Sequence, residues 1–339
     1  MKALFIGGTG TISTEISKRC VREGWELTLL NRGSACERVP QGARVIHADI
    51  HDEEAVRKAL GDERFDVVAD FIAFVPEHVK RDIGLFSGRC GQYVFISSAS
   101  AYQKPLASPY ITESTPLHNP YWQYSRDKIA CENVLLGAYR ESGFPVTIIR
   151  PSHTYSERSM PVALHGKGSF QVLERIRLGK PVIVPGDGTT LWTLTHSRDF
   201  AAAFTGLMGN VHAIGEAYQI TGDESLTWNQ IYGCIGEALG VKPKLVHIAS
   251  ETLSALNPGF EGNLIGDKSN TVIFDNAKLK RAVPGFAAKT RFDQGAREAV
   301  AYIYSHPECQ TADPDFDAWC DQVIEIYTRL CAQLPAYTP

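Results

Sequence analysis

Apolar residues in this chain fall into short unbroken runs, separated by stretches in which they recur every three or four positions. The runs are Lys2-Ala3-Leu4-Phe5-Ile6, Trp25-Glu26-Leu27-Thr28-Leu29-Leu30, Arg44-Val45-Ile46-His47, Phe65-Asp66-Val67-Val68-Ala69-Asp70-Phe71-Ile72, Gln92-Tyr93-Val94-Phe95-Ile96 and Val146-Thr147-Ile148-Ile149. Near-continuous apolar runs of this length are what strands covered on both faces require, and the helical periodicity between them supplies the covers. The first such helix runs to about Glu23 and stops at Gly24. Strand and helix in alternation predict an α/β fold with a doubly wound parallel sheet, whose ligands sit at the carboxyl ends of the strands.

Beyond Arg150-Pro151 the alternation gives way to segments punctuated by Gly and Pro and to later helices, Thr227 to Leu239 and Asp315 to Leu334. A smaller C-terminal lobe is expected there, with a return to the core fold around Pro181 to Phe200. The resulting division assigns residues 1–152 and 182–206 to the sheet domain, and residues 153–181 and 207–339 to the lobe.

The candidate chemistry begins directly after the first strand, where Gly7-Gly8-Thr9-Gly10-Thr11-Ile12-Ser13 leads into the first helix. Gly7 permits the tight turn, Gly10 lets the backbone approach a pyrophosphate, and the helix N-terminus offers free N–H groups to its charge. A second motif, Tyr124-Ser125-Arg126-Asp127-Lys128, stands at the head of a helix reaching about Glu141, downstream of Phe95-Ile96-Ser97-Ser98. Residues four apart on a helix share a face, so Tyr124 and Lys128 project together.

These motifs resemble the short-chain dehydrogenase/reductase superfamily, and the chain is similar over nearly its whole length to the extended branch, the NAD(P)-dependent epimerases and dehydratases. It departs from that branch's G-x-x-G-x-x-G at Ser13. The resemblance implies a Rossmann-type sheet domain with a substrate-binding lobe, and a pocket between the two. Tyr124 would act as acid/base, Lys128 as the cation that lowers the phenol pKa and holds the nicotinamide ribose, and Ser98 as a donor to the substrate oxygen. Ser97 competes for that last role, and the Ser-Ser-x-x-x-Tyr pattern ending at Tyr102 favours Ser98. Ile129-Ala130-Cys131-Glu132 resembles the family's continuation after the lysine.

Cofactor contacts implied by the resemblance are Gly7, Thr9, Gly10, Thr11, Ile12, Asn31, Arg32, Asp49, Ile50, Phe71, Ala73 and Pro151, together with Tyr124 and Lys128. Substrate contacts are Ser100, Trp122, His153 and Trp192. At the end of the second strand an acidic residue favours NAD, whereas the chain has neutral Asn31 followed by Arg32. NADP is therefore the preferred cofactor, with NAD possible. Where dehydratases and decarboxylating members carry an acid after the catalytic Ser/Thr, Ala99 and Ser100 stand here, which leaves alcohol oxidation, ketone reduction or epimerisation through a ketone. Where nucleotide-sugar enzymes place a diphosphate-binding Arg, this chain has Trp192 in Leu191-Trp192-Thr193-Leu194-Thr195-His196, with Lys268 as a compensating charge.

A net charge of -4, with charges interspersed, gives no basic footprint for nucleic acid or a membrane surface. The eight cysteines show no C-x-x-C and no zinc spacing and predict buried thiols of a reducing compartment. His47 and His51 bracket a strand end and do not share a helix face, so no metal is expected. His165-Gly166-Lys167-Gly168-Ser169 lacks the leading Gly of a triphosphate loop, Pro161 standing there. The expectation is a cytoplasmic, homodimeric NAD(P)-dependent oxidoreductase or epimerase acting on a hydroxyl or ketone carbon of a sugar-like or polyhydroxylated molecule. The alternatives are a nucleotide-sugar epimerase and, in another class, a non-catalytic NAD(P)-binding regulatory or RNA-associated protein.

Overall fold

The computed structural model describes residues 1–33 and 35–335. Seven parallel strands form the main sheet, in the order Ala217–Ile220, Val146–Pro151, β5 (Cys90–Ile96), β4 (Phe65–Asp70), β1 (Lys2–Ile6), β2 (Glu26–Asn31) and β3 (Arg44–His47). The order reverses at β1, the place where a doubly wound sheet opens a crevice at its carboxyl edge. Side chains on one strand alternate between faces: Ala3 and Phe5 join one apolar cluster, Leu4 and Ile6 the other. The first cluster packs Ile16 and Cys20 of α1 (Ser13–Arg22) with Phe200 and Phe204 of helix Ser197–Leu207. The second packs residues of α2 (Glu53–Leu60), α3 (Pro76–Phe86) and α4 (Gln123–Ser142), among them Val56, Phe86 and Leu135.

The chain divides into two compact units, Met1–Ser156 with Thr193–Ser225 and Val272–Thr290, and Glu157–Trp192 with Leu226–Thr271 and Arg291–Pro339. This differs from the division expected from sequence. Pro181–Pro185 does not return to the main sheet; it pairs in parallel with Lys244–Ile248 inside the second unit. Conversely, Ala217–Ile220, which was not among the expected strands, completes the sheet beside Val146–Pro151. In the second unit, helix Trp228–Leu239 starts from a capping box at Thr227 and Gln230. Arg175, buried there, is held by Asp317 at 2.7 Å and Asp321 at 2.8 Å. No helix among the described residues is long and apolar enough to cross a membrane. Of the cysteines, Cys20, Cys131 and Cys320 are buried as expected, but Cys36 and Cys331 are exposed.

Candidate active site

The turn between β1 and α1 is built by two residues that only glycine fills well: Gly7 has φ +96° and Gly8 φ +99°. At Gly8 a side chain would also meet Leu29 Cδ2 at 2.7 Å, so Gly8, absent from the expected set, is required by both conformation and space. Ser13 takes the departing position of the glycine motif with a definite role. Its Oγ accepts the Gly10 N–H at 2.9 Å, while Ser17 Oγ donates to Gly8 O at 2.9 Å. Gly10 N–H is thereby committed within the loop. The N–H groups of Thr11 and Ile12 have no partner among the described residues. A glycine cradle with free N–H groups at a helix start fits a dinucleotide pyrophosphate.

At the end of β2, Asn31 turns its side chain back into its own loop, Oδ1 accepting Gly33 N–H at 3.0 Å, and Arg32 is exposed. Asp49 behaves similarly, Oδ1 accepting His51 N–H at 3.0 Å, and Ile50 is buried. A second cation that sequence reasoning missed stands here: Arg38, whose Nη1 donates to Thr9 O at 3.2 Å and so lies against the glycine loop. Its place seven residues past Asn31 gave no motif by which to find it.

Lys128 is 2% exposed on the buried side of α4. Its ammonium donates to Ala73 O at 2.6 Å and Ile96 O at 2.7 Å, and lies 5.7 Å from the Tyr124 ring centroid. It therefore ties the head of α4 to the carboxyl ends of β4 and β5. Burial pushes its pKa down to about 8, against the pull of Cys131, Asp70 and Glu132. Ala73 is itself fixed from below. Asp70 Oδ1 accepts Ile72 N–H at 2.6 Å, and Arg81 reaches Asp70 at 3.3 Å and Asp82 at 2.8 Å. Two buried carboxyls share one guanidinium, so burial and Asp82 raise the Asp70 pKa. Phe71 contributes to this segment by backbone, its ring packing in the core at 5.3 Å from Phe5.

The structure separates the two serines. Ser97 is 1% exposed and donates to Glu132, which also receives Arg150 Nε at 3.0 Å and Nη2 at 2.6 Å. Ser98, half-buried, lies outside that buried ion pair, with its Oγ 2.8 Å from Ser100 Oγ. Ser100 is in turn bonded by Ser125 Oγ at 2.8 Å, so the segment carrying Ser98 and the helix carrying Tyr124 are linked through these hydroxyls as well as through Lys128. The Trp122 ring stands 5.0 Å from that of Tyr124. His153, on strand His153–Tyr155, pairs with Leu194, and Pro151 is buried at the end of its strand.

Trp192 belongs to the second unit. It is 4% exposed and stacked on Trp228 at 5.8 Å, and its Nε1 has no partner among the described residues. The indole packs on another aromatic ring within the second unit. Lys268, in the π-helical turn Leu264–Lys268, is also buried; its ammonium donates to Asn263 Oδ1 at 2.7 Å, and burial lowers its pKa to about 8. Among the described residues no cluster of His, Cys, Asp and Glu could hold a metal ion.

The sequence profile of the NAD dependent epimerase/dehydratase family matches residues 3–221. A chloroplast stem-loop binding protein of 41 kDa from Arabidopsis thaliana is 27% identical over 260 residues, 73% of this chain and 65% of that relative's length. A 2'-dehydrokanamycin reductase from Streptomyces kanamyceticus is 23% identical over 291 residues, 84% of this chain and 80% of the relative. The UDP-glucose 4-epimerase of Thermotoga maritima, solved with UDP-glucose, shares the fold with a TM-score of 0.73 and 20% identity, covering 90% of this chain and 99% of that one. With the profile spanning most of the chain and both fold and motifs in agreement, this protein belongs to the NAD dependent epimerase/dehydratase family.

Proposed function

We propose that the protein interconverts a secondary hydroxyl and a ketone on a sugar-like or polyhydroxylated small molecule, using NADP in preference to NAD. The observation that carries this reading is the Lys128 ammonium, buried between two carbonyls and set under Tyr124. A bound nicotinamide supplies the hydride donor or acceptor. Tyr124 moves the proton on or off the substrate oxygen, a step that positioned acids and bases accelerate by about 10²–10⁴-fold. The Lys128 charge stabilises the phenolate that forms when Tyr124 gives its proton away. Ser98 donates to the same oxygen as charge gathers there.

The neutral Asn31 removes the carboxylate that would repel a 2′-phosphate, and Arg32 and Arg38 supply positive charge beside it. The reductase relative supports a ketone–alcohol couple. A nucleotide-sugar epimerase is the second reading, favoured by Lys268, a buried ammonium with one hydrogen bond among the described residues and a charge suited to a phosphate. The stem-loop binding relative raises a non-catalytic reading, opposed by the net charge of -4 and the complete Ser98, Tyr124 and Lys128 set. The test is turnover of a panel of uncharged glycosides, polyols and their ketones, with UDP- and dTDP-sugars alongside, net oxidation or reduction being followed by the absorbance of the reduced cofactor and epimerisation, which regenerates the cofactor, by chromatographic separation of the epimers. Turnover of an uncharged member that disappears in Tyr124→Phe supports the reading; turnover of nucleotide sugars alone replaces it with the epimerase.

A further inference from the structure

Four side chains beside Tyr124 form one continuous line of hydrogen bonds: Asn119 Nδ2 to Ser125 Oγ at 3.3 Å, Ser125 Oγ to Ser100 Oγ at 2.8 Å, and Ser100 Oγ to Ser98 Oγ at 2.8 Å. Asn119, Ser125 and Ser100 are 1%, 0% and 4% exposed. A hydroxyl has one proton to give, so the line has a direction, and that direction is fixed at its buried end. The Asn119 amide is oriented because its Oδ1 accepts Tyr121 N–H at 3.2 Å while Nδ2 donates to Ser100 O at 2.8 Å. Its amide nitrogen is thus a donor to Ser125, and Ser125 passes its own proton to Ser100.

Ser100 Oγ, already accepting from Ser125, has its proton left for Ser98. The opposite arrangement, Ser98 donating to Ser100, would leave the Ser100 proton buried with no acceptor, a costly state. Ser98 Oγ then accepts twice, from the Ser100 hydroxyl and from Ser100 N–H at 3.1 Å. Both of its lone pairs are used, and its own proton has no acceptor among the described residues.

We infer that Asn119, Ser125 and Ser100 are positioning residues that make Ser98 a one-way hydrogen-bond donor to the reacting oxygen. Ser98 cannot take up a proton from that oxygen while the line is intact, so proton movement is left to Tyr124. The inference rests on the proposed hydroxyl–ketone chemistry for its catalytic consequence, but the direction of the line does not. Ser100 thereby acquires a role behind Ser98 and not against substrate, which explains why a serine occupies the second position after Ser98 and why Ser125 follows Tyr124.

Two experiments separate the inference from the reading beneath it. Neutron diffraction of the deuterated, cofactor-soaked protein locates the hydroxyl deuterons without any substrate. The inference requires the Ser100 deuteron on the line to Ser98 and the Ser98 deuteron off it; a Ser98 deuteron pointing at Ser100 overturns it. The second experiment is a double-mutant cycle on kcat, with the fastest member of the sugar panel as the probe. Ser98→Ala should cost about 10²–10³-fold. Ser125→Ala, and independently Ser100→Ala, should cost about fivefold to tenfold in the wild-type background, the worth of one oriented hydrogen bond, and nothing further in the Ser98→Ala background, with KM unmoved. Equal losses in both backgrounds would mean a merely structural role and would overturn the inference. A wild-type protein that turns over no panel member would instead defeat the functional reading, while the deuteron positions would still decide the line.

Discussion

Replacing Glu132 by Ala tests the packing beneath the site. The carboxylate is 1% exposed at its side chain and the Arg150 side chain 5%, and they are joined at 2.6 Å and 3.0 Å, with the Ser97 hydroxyl as a third partner. Glu132→Ala leaves the guanidinium, among the described residues, with only the Tyr102 hydroxyl at 3.4 Å and the Glu113 carbonyl at 3.2 Å. Removing one member of a buried pair strands the other charge in a poorly solvated place, at a cost of about 3–5 kcal/mol. Exposed pairs, by contrast, are worth roughly 0–1 kcal/mol. The measurement is urea unfolding, read from the shift in midpoint at unchanged slope. Glu132→Gln, which keeps the shape and an acceptor for Arg150, should cost less than Glu132→Ala. A Glu132→Ala loss below about 1 kcal/mol would refute the argument, because it would place the pair in the solvent-screened class.

Tyr124→Phe should abolish turnover with cofactor affinity, measured by fluorescence titration, little changed, whereas Lys128→Met should weaken both. Arg32→Ala and Arg38→Ala should each weaken NADP(H) more than NAD(H), by about 1–3 kcal/mol for a lost charge-assisted phosphate contact; equal weakening of both cofactors would return these residues to the loop alone. The Lys128 pKa, held at about 8 in the fold against 10.5 ordinarily, means that the unfolded chain binds more protons between those values. Stability from this group therefore rises with pH across that window, and the rise, followed by urea midpoints at neutral and alkaline pH, should vanish in Lys128→Met. In catalysis the same loss of charge should lower kcat/KM above about pH 8.

Much of the first unit was legible because its signals are local. β3 matches the apolar run Arg44–His47, and α1 ends at Arg22, two residues before Gly24, where φ is +79°. The helix carrying Tyr124 and Lys128 also runs nearly as expected, Gln123–Ser142. What sequence could not display depends on contacts across the chain. Ser97 is bonded to Glu132, 35 positions away, a contact that no local pattern around the two serines announces. Asn119 and Arg38 matter only because folding lays them against Ser125 and Thr9. Pro181–Pro185 carries the apolar pattern of a sheet strand, and only its partner, Lys244–Ile248, places it in the second unit. Trp192 was read by its position in a motif, but the aromatic it needed to stack on came from within the chain, Trp228.

The central claim is that Tyr124 drives exchange between a hydroxyl and a ketone coupled to a nicotinamide. Its most direct measurement is the absorbance of reduced cofactor during turnover of the uncharged sugar panel by wild-type protein and by Tyr124→Phe. The account predicts a cofactor-coupled rate in the wild type, greater with NADP(H) than with NAD(H), and its loss by about 10²–10⁴-fold in the variant. A rate that survives the Tyr124→Phe substitution would contradict it.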